Sequence, residues 1–263
     1  LLGQNVNAYR GPMAGGGQAD LAALIYLVAS VPGIERIRFT TSHPMDAIDD
    51  LIAQFGSLRT LCEFFHLPVQ AGNDRILEEM RRFYTVADYL EKIAKLRLAC
   101  PDIALSTDII VGFPGETEAE FEDTLKLLET VRYDSIYAFK YSERPGTRAA
   151  KLGDTVPEAV KKARLAKVQA LQDAITREKL AAMQGRIVEI LVEGPSQRAA
   201  RGTTVEGASV PHGGFQMMGR TRSSIIVNVP VPFGEFWNKR WVGKLATIEV
   251  VEVKANTLFG RFV

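Results

Sequence analysis

Between positions 19 and 141, short apolar runs alternate with stretches whose apolar residues recur at i, i+3 and i+4. The runs at 34–40, 63–67, 104–111 and 135–141 predict strands, with a strand stub at 1–3, and the periodic stretches near 20–31, 46–55, 86–100 and 118–131 predict helices. Leu90, Ile93, Ala94 and Leu96 form one such apolar stripe. Strand and helix in alternation is the pattern of βαβ units around a parallel sheet. Positions 157–183 read as one long helix, with Pro157 at its start, Gly185 past its end and Lys161, Lys162, Arg164 and Lys167 on its polar side. Beyond Gly185 the period changes to two, and strands are predicted at 186–192, 224–229, 244–253 and 257–263. Glycine, proline and serine cluster between them, as in a small all-β barrel.

At 263 residues, 46% hydrophobic and 24% charged, the chain can bury a sizeable core in about two domains. No run approaches the roughly 20 apolar residues that span a bilayer, and no basic segment leads into an apolar stretch at the start, so no membrane partner and a cytoplasmic location are expected. The opening Leu1-Leu2-Gly3-Gln4-Asn5 reads as a strand end running into a loop without an initiator methionine, which points to sequence missing upstream. The two cysteines, Cys62 and Cys100, are too few for a disulfide framework and have no metal-site spacing, so both are read as buried thiols. The net charge of +1 divides unevenly: residues 185–263 hold ten Lys/Arg against six Asp/Glu. That excess of base favours a polyanionic partner, although a solvated face produces the same count.

In parallel α/β folds ligands bind at the carboxyl ends of the strands. Here those positions carry Gln4, Asn5 and Asn7; then Thr41, Ser42 and His43; then His66 to Asn73; then Gly112-Phe113-Pro114-Gly115-Glu116-Thr117; and finally Tyr141 to Thr147. Amides, hydroxyls, imidazoles and glycine turns in this arrangement suit a ligand with a polar edge and flat rings. Other readings stand beside this one. Gly72, Gly112 and Gly115 also fit plain turns, Glu116 with Thr117 fits a helix start, and His43 and His66 fit structural hydrogen bonding. Asp108, within an apolar strand, needs a partner whichever reading holds. In the second domain Arg220-Thr221-Arg222 lies near Phe215, Phe233, Phe236, Trp237 and Trp241, a mixture suited to phosphates and stacked bases as well as to core packing.

Six segments in order carry a resemblance: 2–9 (LGQNVNAY), 37–44 (IRFTTSHP), 66–70 (HLPVQ), 82–85 (RFYT), 106–117 (STDIIVGFPGET) and 141–147 (YSERPGT). Together they resemble the radical S-adenosylmethionine tRNA methylthiotransferases, MiaB type, and the C-terminal part is similar to that family's TRAM domain. The resemblance implies an α/β fold, a partial radical-SAM (β/α) barrel over 1–150, a connecting helix over 151–184 and a small all-β TRAM-like RNA-binding barrel over 185–263. It implies tRNA and an electron-donor protein as partners. The implied activity is methylthiolation of carbon 2 of isopentenyl-adenosine beside the anticodon, with threonylcarbamoyl-adenosine as the alternative base.

The implied cofactors are S-adenosylmethionine and two 4Fe-4S clusters, one of them held by a CxxxCxxC loop, and such chemistry resides in the cofactors while the protein positions them. Neither that loop nor any other family cysteine ligand is present here, so this chain by itself is expected neither to bind a cluster nor to react. Strand-end position and resemblance together nominate Gln4, Asn5, His66, Gln70, Asp108, Gly112, Pro114, Gly115 and Glu116 for S-adenosylmethionine, and Arg220 and Arg222 for RNA. No catalytic residue and no metal ligand is nominated. Two alternatives remain: a module that only binds RNA, and a different barrel enzyme using His43, His66 and Asp108. Against the latter, only Lys140 resembles a Schiff-base lysine at a strand end, and no nucleophile elbow occurs.

Overall fold

A computed structural model describes residues 1–13, 15–40, 42–153, 155–196, 215–232 and 240–263. It divides into two compact units, 1–175 and 176–263. The connecting segment therefore splits between them: most of helix α6 (Glu158–Ala181) packs into the first unit, and Leu180 and Met183 join the core of the second.

In the first unit three parallel strands, β3 (Phe64–His66), β4 (Ala104–Val111) and β5 (Ser135–Lys140), form a sheet in that order. Helix α4 (Val86–Ala99) opens on a capping box between Thr85 and Asp88, and α5 (Glu118–Val131) on one between Thr117 and Glu120. Each box satisfies amides that the first helical turn would leave unpaired. Thr117, not Glu116, is thus the residue that starts α5. The apolar stripes of α4 and α5 (Ile93, Leu96, Phe121, Leu128) share one core with Phe65, Leu105, Ile109 and Val111 of the sheet. Inside it, the Tyr133 hydroxyl donates to the Tyr89 hydroxyl (2.9 Å), which donates to the Leu67 carbonyl (2.9 Å).

Several elements differ from the sequence reading. Residues 34–40 form no regular strand, only a single parallel bridge between Ile37 and Leu61, yet Ile37 and Phe39 are buried as the alternation requires. The apolar pattern decided burial there, while the ladder extends no further than that one pair. The stub at 1–3 is irregular, with Leu2 90% exposed. A hairpin of β1 (Arg10–Pro12) and β2 (Gln18–Asp20) precedes α1 (Leu21–Ala29), whose N-cap Asp20 accepts from the Ala23 amide. The stretch predicted at 46–55 resolves into a 3-10 turn, Pro44–Asp46, and α2 (Asp49–Ser57). The short α3 (Asp74–Glu79), N-capped by Asn73, also went unpredicted. On α6 the residues read as its polar side do not share one environment: Lys161 and Arg164 are buried on the same stripe as Val168, Gln172 and Ile175, while Lys162 and Lys167 are exposed.

The second unit is a closed barrel in the order β10-β8-β7-β6-β9, built from β6 (Ile187–Pro195), β7 (Phe215–Thr221), β8 (Ile226–Val231), β9 (Leu245–Val253) and β10 (Leu258–Phe262). Among the described residues of this unit, only the β8–β10 pair is parallel. Ile190, Val192, Met217, Val227, Val229, Ile248, Val250 and Leu258 fill its interior, and closure leaves no unpaired edge. Strand β7 lies where only loop was expected. Among the described residues no helix is long and apolar enough to cross a membrane.

Candidate cofactor-binding face

Side chains alternate between the faces of a strand, so the core face of the three-stranded sheet leaves an opposite face carrying His66, Ser106, Asp108, Ile110, Tyr137 and Phe139. The parallel register sets His66 beside Ser106, Asp108 beside Tyr137 and Ile110 beside Phe139. Among the described residues the two aromatics stay open, 59% and 54% exposed. This face joins polar groups to flat apolar ones.

Its polar centre is the pair His66 and Asp108, with Nε2 and Oδ1 3.6 Å apart. The Ser106 hydroxyl lies 2.8 Å from His66 Nδ1, and Tyr137 meets the imidazole edge-on. The imidazole thus has a polar group at each ring nitrogen, Ser106 at Nδ1 and Asp108 facing Nε2. Burial lowers the His66 pKa against the opposing pull of Asp108. Burial likewise raises the Asp108 carboxyl, opposed by His66 and Arg82.

Gln70 follows β3 with φ 77°, a left-handed backbone that non-glycine residues rarely adopt. Its amide donates to the Asp108 carbonyl (2.9 Å) and its carbonyl accepts from Ile110 (2.8 Å), so the strained residue is locked to β4. Beyond β4 the 112–116 turn has φ 71° at Gly112 and 74° at Gly115. Pro114 is buried and Gly115 exposed. The amides of Gly112, Gly115 and Glu116 go to Glu116 Oε2 (2.6 Å), Thr155 Oγ1 (2.7 Å) and the Phe113 carbonyl (2.9 Å). What this turn presents to a ligand is therefore shape, not those amide donors. The Glu116 carboxylate is buried against Arg164, and burial raises its pKa despite the Gly112 amide and Arg164.

The first strand-end loop is tied to the second. Asn5 Nδ2 donates to Asp46 Oδ2 (2.8 Å), and the buried Asn7 amide exchanges two 2.8 Å hydrogen bonds with the His43 backbone. His43 meets Tyr84 edge-on, and the Tyr84 hydroxyl donates to the Val69 carbonyl (3.0 Å), which brings this rim to the segment before Gln70. The charge of Arg82 acts on His43 and Asp108 alike. Gln4 is exposed at the head of this rim, with no direct hydrogen bond to the His66–Asp108 pair. Thr41 lies outside the described residues. The sequence reading missed Ser106, Tyr137 and Phe139, whose only signal was period two along predicted strands.

In the barrel, Arg220 Nε donates to Glu193 (3.1 Å), and Arg222 is half-buried just beyond β7. Trp241 stacks on Phe262 at 4.5 Å and packs against the barrel core. Phe233, Phe236 and Trp237 lie outside the described residues.

Two tests of cofactor fit follow from these residues. A 4Fe-4S cluster finds no ligand set, since both cysteines are buried and the described residues hold no group of three His, Cys, Asp or Glu placed for a metal. For S-adenosylmethionine the open face supplies groups of matching chemistry, two exposed rings, a carboxylate and an imidazole.

The Radical SAM superfamily profile matches residues 11–128 and the TRAM domain profile residues 181–263. Curated proteins named tRNA-2-methylthio-N(6)-dimethylallyladenosine synthase, from Methylococcus capsulatus and Stenotrophomonas maltophilia, are each 44% identical over 263 residues, all of this chain and 53% and 52% of theirs. The one from Aeromonas hydrophila is 45% identical over 262 residues and 51% of its length. The chain thus spans about half the length of these relatives. Among solved structures, coproporphyrinogen III oxidase (HemN) from Escherichia coli aligns over 91% of this chain and 55% of its own, with 13% identity and a TM-score of 0.47. The chain thus carries a Radical SAM match followed by a TRAM match, and is similar along its whole length to about half of the tRNA-2-methylthio-N(6)-dimethylallyladenosine synthases.

Proposed function

We propose that this chain forms the S-adenosylmethionine- and tRNA-binding part of a tRNA methylthiotransferase acting at carbon 2 of N6-dimethylallyladenosine. The observation that carries the proposal is 44% identity across all 263 residues, through both the strand-end loops and the barrel. His66, Gln70 and Asp108 hold the cofactor, with Gly112, Pro114 and Gly115 shaping one wall and Gln4 and Asn5 the rim. Glu116 serves the same site from within the turn. Asp108 keeps one carboxylate oxygen for ligand hydroxyls while His66 orients the other, and Tyr137 and Phe139 offer faces to flat rings. When bound, S-adenosylmethionine supplies the radical and methyl chemistry. The chain holds no CxxxCxxC ligand set for a cluster, and an electron-donor protein would be a further partner of the reaction. Arg220 and Arg222 contact tRNA phosphates on the barrel, Arg220 by giving up or sharing Glu193. A tRNA substrate makes the cytoplasm the site of action.

The test is a chimera in which this chain replaces its counterpart in the Methylococcus capsulatus synthase, expressed in cells lacking their own enzyme. Mass spectrometry of bulk tRNA is expected to show the 2-methylthio group on dimethylallyladenosine, and to lose it in the Asp108→Ala chimera. A methylthio group on threonylcarbamoyl-adenosine instead would reassign the substrate. Its absence from both bases, in a soluble chimera, would reject the proposal.

A further inference from the structure

The stripe of α6 that packs into the first unit carries two buried cations, and both reach the end of β4. Arg164 is 6% exposed at its side chain and its partner Glu116 only 1%. One guanidinium nitrogen, Nη1, donates to Glu116 Oε2 at 2.8 Å and to the Glu116 carbonyl at 3.1 Å. That same Oε2 accepts the Gly112 amide at 2.6 Å, so the carboxylate closes the turn on itself and Arg164 holds the closure. The remaining donors, Nε and Nη2, go to Glu118 Oε2 at 3.2 and 3.1 Å in the first turn of α5, and the guanidinium lies 5.2 Å from the Phe121 ring. Three residues earlier on α6, Lys161 closes on the turn from its other end. A Cβ added at Gly112 would meet Lys161 Cγ at 2.4 Å, and Lys161 Nζ donates to the Tyr141 carbonyl at 3.4 Å.

Burying two charges often gains no more than it costs, and an apolar pair of similar volume is often as stable in such a place. What a fork-shaped donor adds is geometry: it fixes the carboxylate, the carbonyl and the helix start relative to one another. We propose that Arg164 is a positioning residue for the cofactor, holding the 112–116 turn through Glu116 in the shape that S-adenosylmethionine requires. The inference rests on the cofactor reading given above. It gives Glu116 an indirect role, exerted through the backbone of the turn and not by touching the ligand.

The test uses the full chain with Arg164→Lys, Arg164→Gln and the double variant Glu116→Gln/Arg164→Gln, which strands no buried charge. Equilibrium dialysis against labelled S-adenosylmethionine is read beside thermal unfolding and amide exchange at residues 112–116. Arg164→Gln is expected to bind roughly tenfold more weakly, with faster exchange at Gly112 and Glu116 and unchanged exchange inside β4. Arg164→Lys should recover part of the affinity. The double variant should regain the wild-type Tm without regaining affinity, a separation that a purely stabilising pair would not show. Wild-type affinity and wild-type exchange in the folded double variant would overturn the inference and leave the cofactor reading standing. Absence of binding by the wild-type chain would instead remove the cofactor reading, and the inference with it.

Discussion

Asp108 stands between opposing influences: burial raises its pKa, while His66 and Arg82 lower it. With a raised folded pKa the folded chain holds this proton more tightly than the unfolded one, so ionising Asp108 costs stability as pH rises from about 3.8 through the raised value. Asp108→Asn is therefore expected to raise Tm at pH 7, with no gain at pH 3, while weakening S-adenosylmethionine binding; a lower Tm at pH 7 would contradict this account of the site. Glu120 shows the opposite sign. Arg75, then the backbone and hydroxyl of Thr117, hold its pKa at about 2, so its contribution is complete above about 4.5 and is lost as pH falls towards 2. Glu120→Gln should cost about 1 kcal/mol at pH 7, the scale of a helix-capping contact partly screened by water, with the difference shrinking below pH 4.5 in thermal unfolding. His66 was legible in the sequence as a polar residue at a strand end, and Asp108 as a charge within an apolar strand. Ser106 and Tyr137 were not, because the strand register that sets them beside His66 and Asp108 is a tertiary fact.

Among the elements, the most legible were those whose ends carry their own chemistry. Helices α4 and α5, predicted from their apolar periodicity, match to within a residue, and the structure shows why their starts are sharp: Thr85 with Asp88 and Thr117 with Glu120 form capping boxes. Arg164 misled for the converse reason: the stripe it shares with Val168 and Ile175 is the buried one, and only its partner Glu116, distant in sequence, makes a charge tolerable there. The loop after β3 is fitted to α5 just as closely. A Cβ at Gly72 would lie 2.5 Å from Thr124 Cα and 2.7 Å from the Asp123 carbonyl, both backbone atoms that cannot turn aside. Gly72→Ala should cost roughly 1–3 kcal/mol in urea unfolding, and a neutral result would show that loop and helix separate easily. Tyr89→Phe should cost a similar roughly 1–3 kcal/mol, since it removes the donor to the Leu67 carbonyl and the acceptor for Tyr133 inside a dry core.

At the scale of the whole molecule, the change of period after Gly185 marked the second unit, and its excess of base hinted at a polyanion. Strand β7 escaped because its sequence, Phe215 to Thr221, mixes glutamine, methionines, glycine and arginine without apolar alternation, although Gln216 and Met217 are both buried. For the barrel, Arg220→Ala and Arg222→Ala should each weaken binding to unrelated RNA sequences alike and reduce the salt-dependence slope by about one, as loss of a phosphate contact does. Unchanged affinity and slope in both variants would refute that assignment. The central claim is that the open face of the β3-β4-β5 sheet is where the cofactor sits. Nuclear magnetic resonance of the full chain, titrated with S-adenosylmethionine, tests it most directly. The account predicts shifts concentrated at His66, Gln70, Asp108, Tyr137 and the 112–116 turn; saturable shifts confined to the helix-covered side of the sheet or to the barrel would contradict it.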